Sequence, residues 1–330
     1  MKHMKIQSII FILLFISCFN GVVAQVVDRK VTFGVMGDIS KSYLSKKKEK
    51  QENEELKEQP AHRELNDNDS LSEVDTNIPV ALEKNLDLFV VIIGNENYRR
   101  EVKVSYANND AEIFKIYCMK ALGIPENNIK YIADASLNDL KYNLNWLKQV
   151  MEAYNGEAKA IFYYAGHGIP DESQKTAYLL PVDGYGSDVT TGYNVDELYA
   201  TLGKLPSKGI TVFLDACFSG AKREGDMLTS ARGIAIKVKK SNPTGNMVVF
   251  SAAQSDETAY SYDEQQHGMF TYYLLKKLQE TKGEATLGEL GEYVTTQVKR
   301  QSIVLNGKLQ TPMISPSIQV GDAWKGWKLK

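Results

Sequence analysis

Unbroken apolar runs punctuate the chain from residue 86 to residue 250. The longest are 86–93 (LDLFVVII), 158–164 (AKAIFYY) and 209–214 (GITVFL), with shorter ones at 129–132 and 247–250. Runs this rich in β-branched and aromatic residues, without polar alternation, are what strands buried on both faces require. Between them the apolar residues recur at helical spacing. In 109–122, Ile113, Ile116 and Tyr117 fall on one face and Gly123 supplies a stop. The same periodicity predicts helices over 138–154, 194–202, 268–278 and 287–298. Strands alternating with helices predict an α/β domain, a mostly parallel sheet with helices on both faces. No internal repeat interrupts that pattern.

The first 78 residues read differently. Lys2 and Lys5, the apolar run 9–16 and the small-residue stretch Val22-Val23-Ala24 have the form of an export signal over 1–24. The protein is therefore expected in the periplasm or secreted. The run is shorter than the roughly 20 residues that span a bilayer, and no later segment is longer, so no stable transmembrane anchor is expected. Cys18, after Phe15-Ile16-Ser17, offers lipoprotein anchoring as the alternative. Residues 25–40 form a short segment with no assigned role. Residues 41–78 are dense in both signs of charge, a composition that cannot bury enough apolar surface to offset ordering entropy, so a disordered linker is expected. The domain proper is expected over 79–322, with a short tail at 323–330.

Composition narrows the chemistry. With 39 Lys plus Arg against 41 Asp plus Glu, the net charge of −2 provides no field to hold a polyanion, and nucleic acid is not expected as a partner. Three Cys and four His are all the material for thiol, disulfide or zinc chemistry. The leader takes Cys18 and His3 and the linker takes His62. Cys118 lies beside Ile116 and Met119 on the first helix and reads as core, although an oxidising compartment also permits a pair with Cys217. The sequence contains no Walker loop and no GxGxxG.

In open parallel sheets, ligands bind beyond the carboxyl ends of the strands. Two such ends stand out: 158–164 runs into Ala165-Gly166-His167-Gly168, and 209–214 into Asp215-Ala216-Cys217-Phe218-Ser219-Gly220. If these strands are parallel neighbours, His167 and Cys217 emerge at one edge as a candidate dyad. A thiolate is the nucleophile such a pair offers, and the imidazole can take its proton and return it to a leaving amine. The backbone N–H groups of Gly168 and Cys217 are candidate oxyanion donors. The bland alternatives are a buried Cys217 acting as a small hydrophobe and a turn histidine at His167.

Taken together, YYAGHG at 163–168, YLLPVDG at 178–184, DACFSG at 215–220, SAAQSDETAY at 251–260, HGMFTYYLL at 267–275 and QTP at 310–312 resemble the caspase-like cysteine peptidases. The nearest pattern is that of metacaspases and bacterial caspase homologues. The resemblance covers about 86–320 with its blocks in order. It implies a caspase-haemoglobinase fold with a sheet of about six strands, a Cys217/His167 dyad and cleavage of peptide bonds. Caspases that cut after Asp carry an Arg shortly before the first helix, but Val104 occupies the matching position here. Metacaspases instead present two acids to the substrate, and Asp110 and Asp215 match those positions. Two carboxylates favour a guanidinium, so cleavage after Arg, with Lys next, is expected. Asp110 read by itself is equally a helix N-terminal carboxylate. The small residue two before the histidine is Ala165, which lacks a hydroxyl to donate.

Between the nucleophile strand and the next lie Lys222, Arg223, Arg232, Lys237, Lys239 and Lys240. They form either a solvated loop or, as the resemblance suggests, a self-cleaved activation loop. Calcium activation is known among metacaspases, but the acids here show no ligand spacing, and no cofactor is required by the sequence. His267 opens a helix and reads as structural. The partners expected are peptides or proteins, and the oligomeric state is left open. The competing reading is a catalytically idle caspase-like binding domain. A transferase using the same Cys/His chemistry is a further rival.

Overall fold

The computed structural model describes residues 72–330 except 172, 220–237 and 240. The chain divides into two units, Met1–Asp69, which lies outside the described residues, and Ser70–Lys330. The leader, segment 25–40 and most of the charged stretch therefore lie outside the description, as do all the loop cations except Lys239.

The core of the second unit is a six-stranded sheet. Its strands are β1 (Leu88–Gly94), β2 (Ile129–Ala133), β3 (Lys159–Ala165), β7 (Gly209–Asp215), β8 (Met247–Ser251) and β11 (Met313–Pro316), in the spatial order β11-β8-β7-β3-β1-β2. All neighbours are parallel except β11, which runs antiparallel to β8 at one edge. The helices are α1 (Ala107–Lys120), α2 (Leu137–Tyr154), α3 (Val195–Gly203), α4 (Met269–Glu280) and α5 (Leu287–Asn306).

Alternate side chains of the continuous apolar strands feed two separate cores. Leu88, Val90 and Ile92 pack with Phe114 of α1, Phe270 and Leu274 of α4, and Leu290 and Val294 of α5. Phe89, Val91 and Ile93 pack on the other face with Leu140, Leu144 and Leu147 of α2 and Leu198 and Leu202 of α3. Every residue of β1 and β7 is buried, which explains why neither run alternates with polar residues. Capping boxes start α2 at Ser136 with Asp139 and α5 at Thr286 with Glu289, fixing those boundaries within a residue of the sequence pattern.

Two minor sheets escape the pattern. A three-stranded antiparallel sheet joins β4 (Gly168–Pro170), β5 (Ala177–Leu179) and β6 (Tyr193–Asn194). A two-stranded ribbon pairs β9 (Ser261–Tyr262) with β10 (His267–Gly268). Strands of two or three residues are too short to show a period of two.

The end of the charged stretch is packed rather than loose. Val74 is fully buried, and its carbonyl accepts the Tyr117 hydroxyl at 2.7 Å. Lys276 of α4 pairs with Glu73 at 2.7 Å, and Gln279 Nε2 donates to the carbonyls of Glu73 (3.0 Å) and Thr76 (2.7 Å). The apolar anchor Val74 and two cross-segment ion pairs, Glu73 with Lys276 and Asp75 with His267, hold residues 72–76 in place, so the folded unit begins before the expected linker ends.

Candidate active site

Parallel pairing of β3 with β7 sets Ala165 opposite Asp215. His167 and Cys217 each lie two residues beyond that pair, so one register brings both loops to the same edge of the sheet. The loops touch. A Cβ added to Gly168 would lie 2.6 Å from the Cys217 carbonyl oxygen and 2.5 Å from Cδ1 of Phe218, an approach open only to glycine. Gly166 N–H donates to the Asp215 carbonyl at 3.2 Å and ties the loops one step earlier.

His167 is held at its backbone and at its ring. The Tyr98 hydroxyl accepts its N–H at 2.7 Å, and the Tyr164 hydroxyl donates to its carbonyl at 2.8 Å. Burial pushes both phenols well above their ordinary range, so each keeps its proton. The Tyr98 ring also lies against the imidazole, with centroids 4.7 Å apart. Nε2 sits 2.8 Å from the Val102 carbonyl oxygen. A carbonyl only accepts, so in the neutral ring Nε2 carries the hydrogen, and Nδ1 is the nitrogen that can take a proton from a thiol.

Cys217 is buried, with Sγ 2.7 Å from the Ala259 amide nitrogen and 3.5 Å from the Ala259 oxygen. That amide belongs to the 252–260 loop following β8, in the SAAQSDETAY block. Ser219 Oγ donates to the carbonyl of Glu257 in the same loop at 3.3 Å.

Both candidate specificity acids converge on the start of α4. Asp215 Oδ2 accepts the Thr271 hydroxyl at 2.7 Å and its N–H at 3.3 Å. The Tyr163 hydroxyl is 2.7 Å from the same threonine oxygen. Asp110 lies in the first turn of α1 but serves the other helix, its two oxygens each 3.0 Å from the Gly268 N–H at the cap of α4. Carboxylates suit a helix N-terminus, where unpaired N–H groups carry partial positive charge.

Asp110 Oδ1 is also 2.8 Å from His267 Nδ1, while Asp75 Oδ1 is 2.8 Å from Nε2. Burial opposes a charge on His267, but the hydrogen bonds and charges of Asp110 and Asp75 prevail and raise its pKa to about 9. With both nitrogens held by carboxylates, His267 has the structural role its sequence context suggests. Ala165 closes β3 and is fully buried. Among the described residues, no three His, Cys, Asp or Glu side chains gather as a metal site, and no helix is long and apolar enough to cross a membrane.

The family model for the caspase domain of the C14 peptidases matches residues 88–320. The chain belongs to the caspase domain family. Two solved structures share the architecture of this caspase domain. Protein GSU0716 from Geobacter sulfurreducens superposes with a TM-score of 0.54 at 17% identity, covering 73% of this chain and 97% of its own. Caspase-1 from Spodoptera frugiperda gives 0.50 at 15% identity, covering 73% and 92%. No curated protein matches. At such identities the likeness is one of fold, and it agrees with the six-stranded, mostly parallel sheet.

Several residues of this caspase domain's site carry no signal in the sequence. Val102 acts through its carbonyl, which any residue supplies. Tyr98 belongs to none of the motif blocks and meets His167 only through tertiary packing, while the HGMFTYYLL block contains Thr271 without showing that it pairs with Asp215. The QTP block did mark Gln310, though not its task.

Proposed function

We propose that this protein is a cysteine endopeptidase that cleaves after Arg, and secondarily after Lys, using Cys217 and His167. The observation that carries the reading is the Ala165 to Asp215 register, which delivers both residues to one edge with Gly168 against Cys217. The Val102 carbonyl adds a fixed tautomer that presents Nδ1 as the base.

In this reading His167 Nδ1 takes the Cys217 thiol proton as Sγ bonds to the scissile carbonyl carbon. The N–H groups of Gly168 and Cys217 receive the developing oxyanion. The C–N bond then breaks, the imidazolium gives its proton to the departing amine, and a thioester remains. Water, deprotonated by His167, releases the acid and restores the thiol.

Asp215 and Asp110 support the basic preference. Asp75, Asp110 and Asp215 place three carboxyl groups near the start of α4, against the single imidazole of His267. A cationic side chain balances that excess, and a guanidinium can bridge carboxylate oxygens bidentately. The leader supports export, and the six basic residues of the 222–240 loop support self-processing by an enzyme of this preference.

The test is a matched panel of fluorogenic peptides ending in Arg, Lys or Asp, given to the purified protein. The expected result is the highest kcat/KM for Arg, Lys next and no turnover for Asp. Turnover of none, with Cys217 unreactive to iodoacetamide, would favour the idle binding domain.

A further inference from the structure

Gln310 is fully buried in the loop between α5 and β11, and its side-chain amide joins the two ends of the 252–260 loop. Its Nε2 donates to the Ala252 carbonyl at 2.9 Å, and its Oε1 accepts the Tyr260 N–H at 2.9 Å. Its own N–H is held by Ser302 Oγ of α5 at 3.0 Å. A second clip lies alongside: the Glu257 carboxylate accepts the Thr311 N–H (2.5 Å) and hydroxyl (3.0 Å). Ala259, one residue before the Gln310 bridge, is the residue whose amide nitrogen lies 2.7 Å from Cys217 Sγ.

A primary carboxamide suits this task. It offers one donor and one acceptor in a plane, which two backbone groups at the mouth of a loop need at once. Left unpaired in the interior, each of those groups would be costly, so the loop closes around the amide.

We propose that Gln310 is a positioning residue that acts through the Ala259 amide, holding that N–H on Cys217 Sγ so that the thiolate is favoured over the thiol. A hydrogen bond to the charged form of a titrating group favours that form, and the neutral sulfur is the weaker acceptor. The inference rests on Cys217 being the nucleophile. It adds a thiolate-stabilising group outside the dyad, supplied by the strap of the QTP block.

The titratable groups around the thiol are His167 after β3, Asp215 on β7, and Glu257 and Tyr260 of the loop itself. A Gln310→Met substitution changes none of them and keeps a side chain of similar length without the two hydrogen bonds. The rate of iodoacetamide alkylation of Cys217 is followed against pH in the full-length protein and in this variant. The expected result is an alkylation midpoint higher by about half to one pH unit in the variant, so about three- to tenfold less thiolate on the acid side. kcat for an Arg peptide should fall by a similar factor at that pH, with KM little changed. An unchanged midpoint in a folded variant overturns the proposal.

Should the variant fail to fold, the wild-type protein still decides. The Ala259 amide resonance should titrate with the Cys217 alkylation midpoint and lose that transition in Cys217→Ala. An amide that ignores the thiol titration overturns the proposal. A wild-type Cys217 inert at every pH would instead remove the nucleophile reading itself.

Discussion

Nδ1 of His267 lies 2.8 Å from Oδ1 of Asp110, in a pair from which solvent is wholly excluded. Asp75 holds the other ring nitrogen, so one imidazolium from far along the chain lies between two carboxylates from the beginning of the folded unit. Removing the cation would strand the fully buried Asp110 and leave the partly exposed Asp75 without its partner.

His267→Leu should therefore destabilise the fold by about 3–5 kcal/mol, read by denaturant unfolding near neutral pH. The raised value of about 9 also sets a pH dependence. The pair's stabilisation is fully present below about pH 6.5, the ordinary histidine range, and is lost as pH rises through 9. The wild type should lose stability across that window, and the Leu variant should show a flatter profile there.

Tyr98 is predicted to be a positioning residue for His167. Tyr98→Phe removes the acceptor of the His167 N–H, leaving a buried donor unpaired at a cost of about 1–3 kcal/mol. The ring contact survives, so the imidazole should stay in place but loosen. A fall in kcat that exceeds any change in KM, in a variant that still melts cooperatively, is the expected outcome.

At Gly168 the space is already taken. Gly168→Ala forces a methyl group toward the Cys217 carbonyl and the Phe218 ring, and the backbone oxygen cannot swing aside as a flexible side chain would. The two loops must separate, and peptide cleavage should fall by about 10²-fold or more while the melting temperature changes modestly.

The basic preference is predicted to depend on Asp215. Asp215→Asn keeps an acceptor for Thr271 but removes a charge. The kcat/KM ratio of Arg to a neutral isostere such as citrulline should drop by about tenfold or more, with turnover of the neutral peptide retained. An unchanged ratio would assign the preference elsewhere.

Much of this is legible in the residue pattern alone. The strands at 158–164 and 209–214 are unbroken apolar runs, and such runs belong in the middle of a parallel sheet, where they lie side by side as β3 and β7. Because ligands gather at the carboxyl ends of parallel strands, the residues that follow those runs were already distinguished from His62 or Cys118. What stayed hidden has physical causes. Val102 contributes a backbone oxygen, which leaves no trace in residue type. β11 is a four-residue edge strand ending in Pro316, too short to show a period. Residues 72–76 have the composition of the charged stretch before them and differ only in finding Lys276, His267 and a pocket for Val74. Asp110 was legible as an acid at a helix start, but the sequence could not tell that it caps a second helix far along the chain.

The central claim is that Cys217 and His167 act as one catalytic unit. The most direct measurement is the cleavage rate of an Arg-ended fluorogenic peptide by the wild type, Cys217→Ala, His167→Ala and the double variant. Residues that act together are non-additive, so each single variant should lose about 10³-fold or more, and the double variant should lose no more than the Cys217 variant alone. Cleavage by folded Cys217→Ala at the wild-type rate would contradict the account.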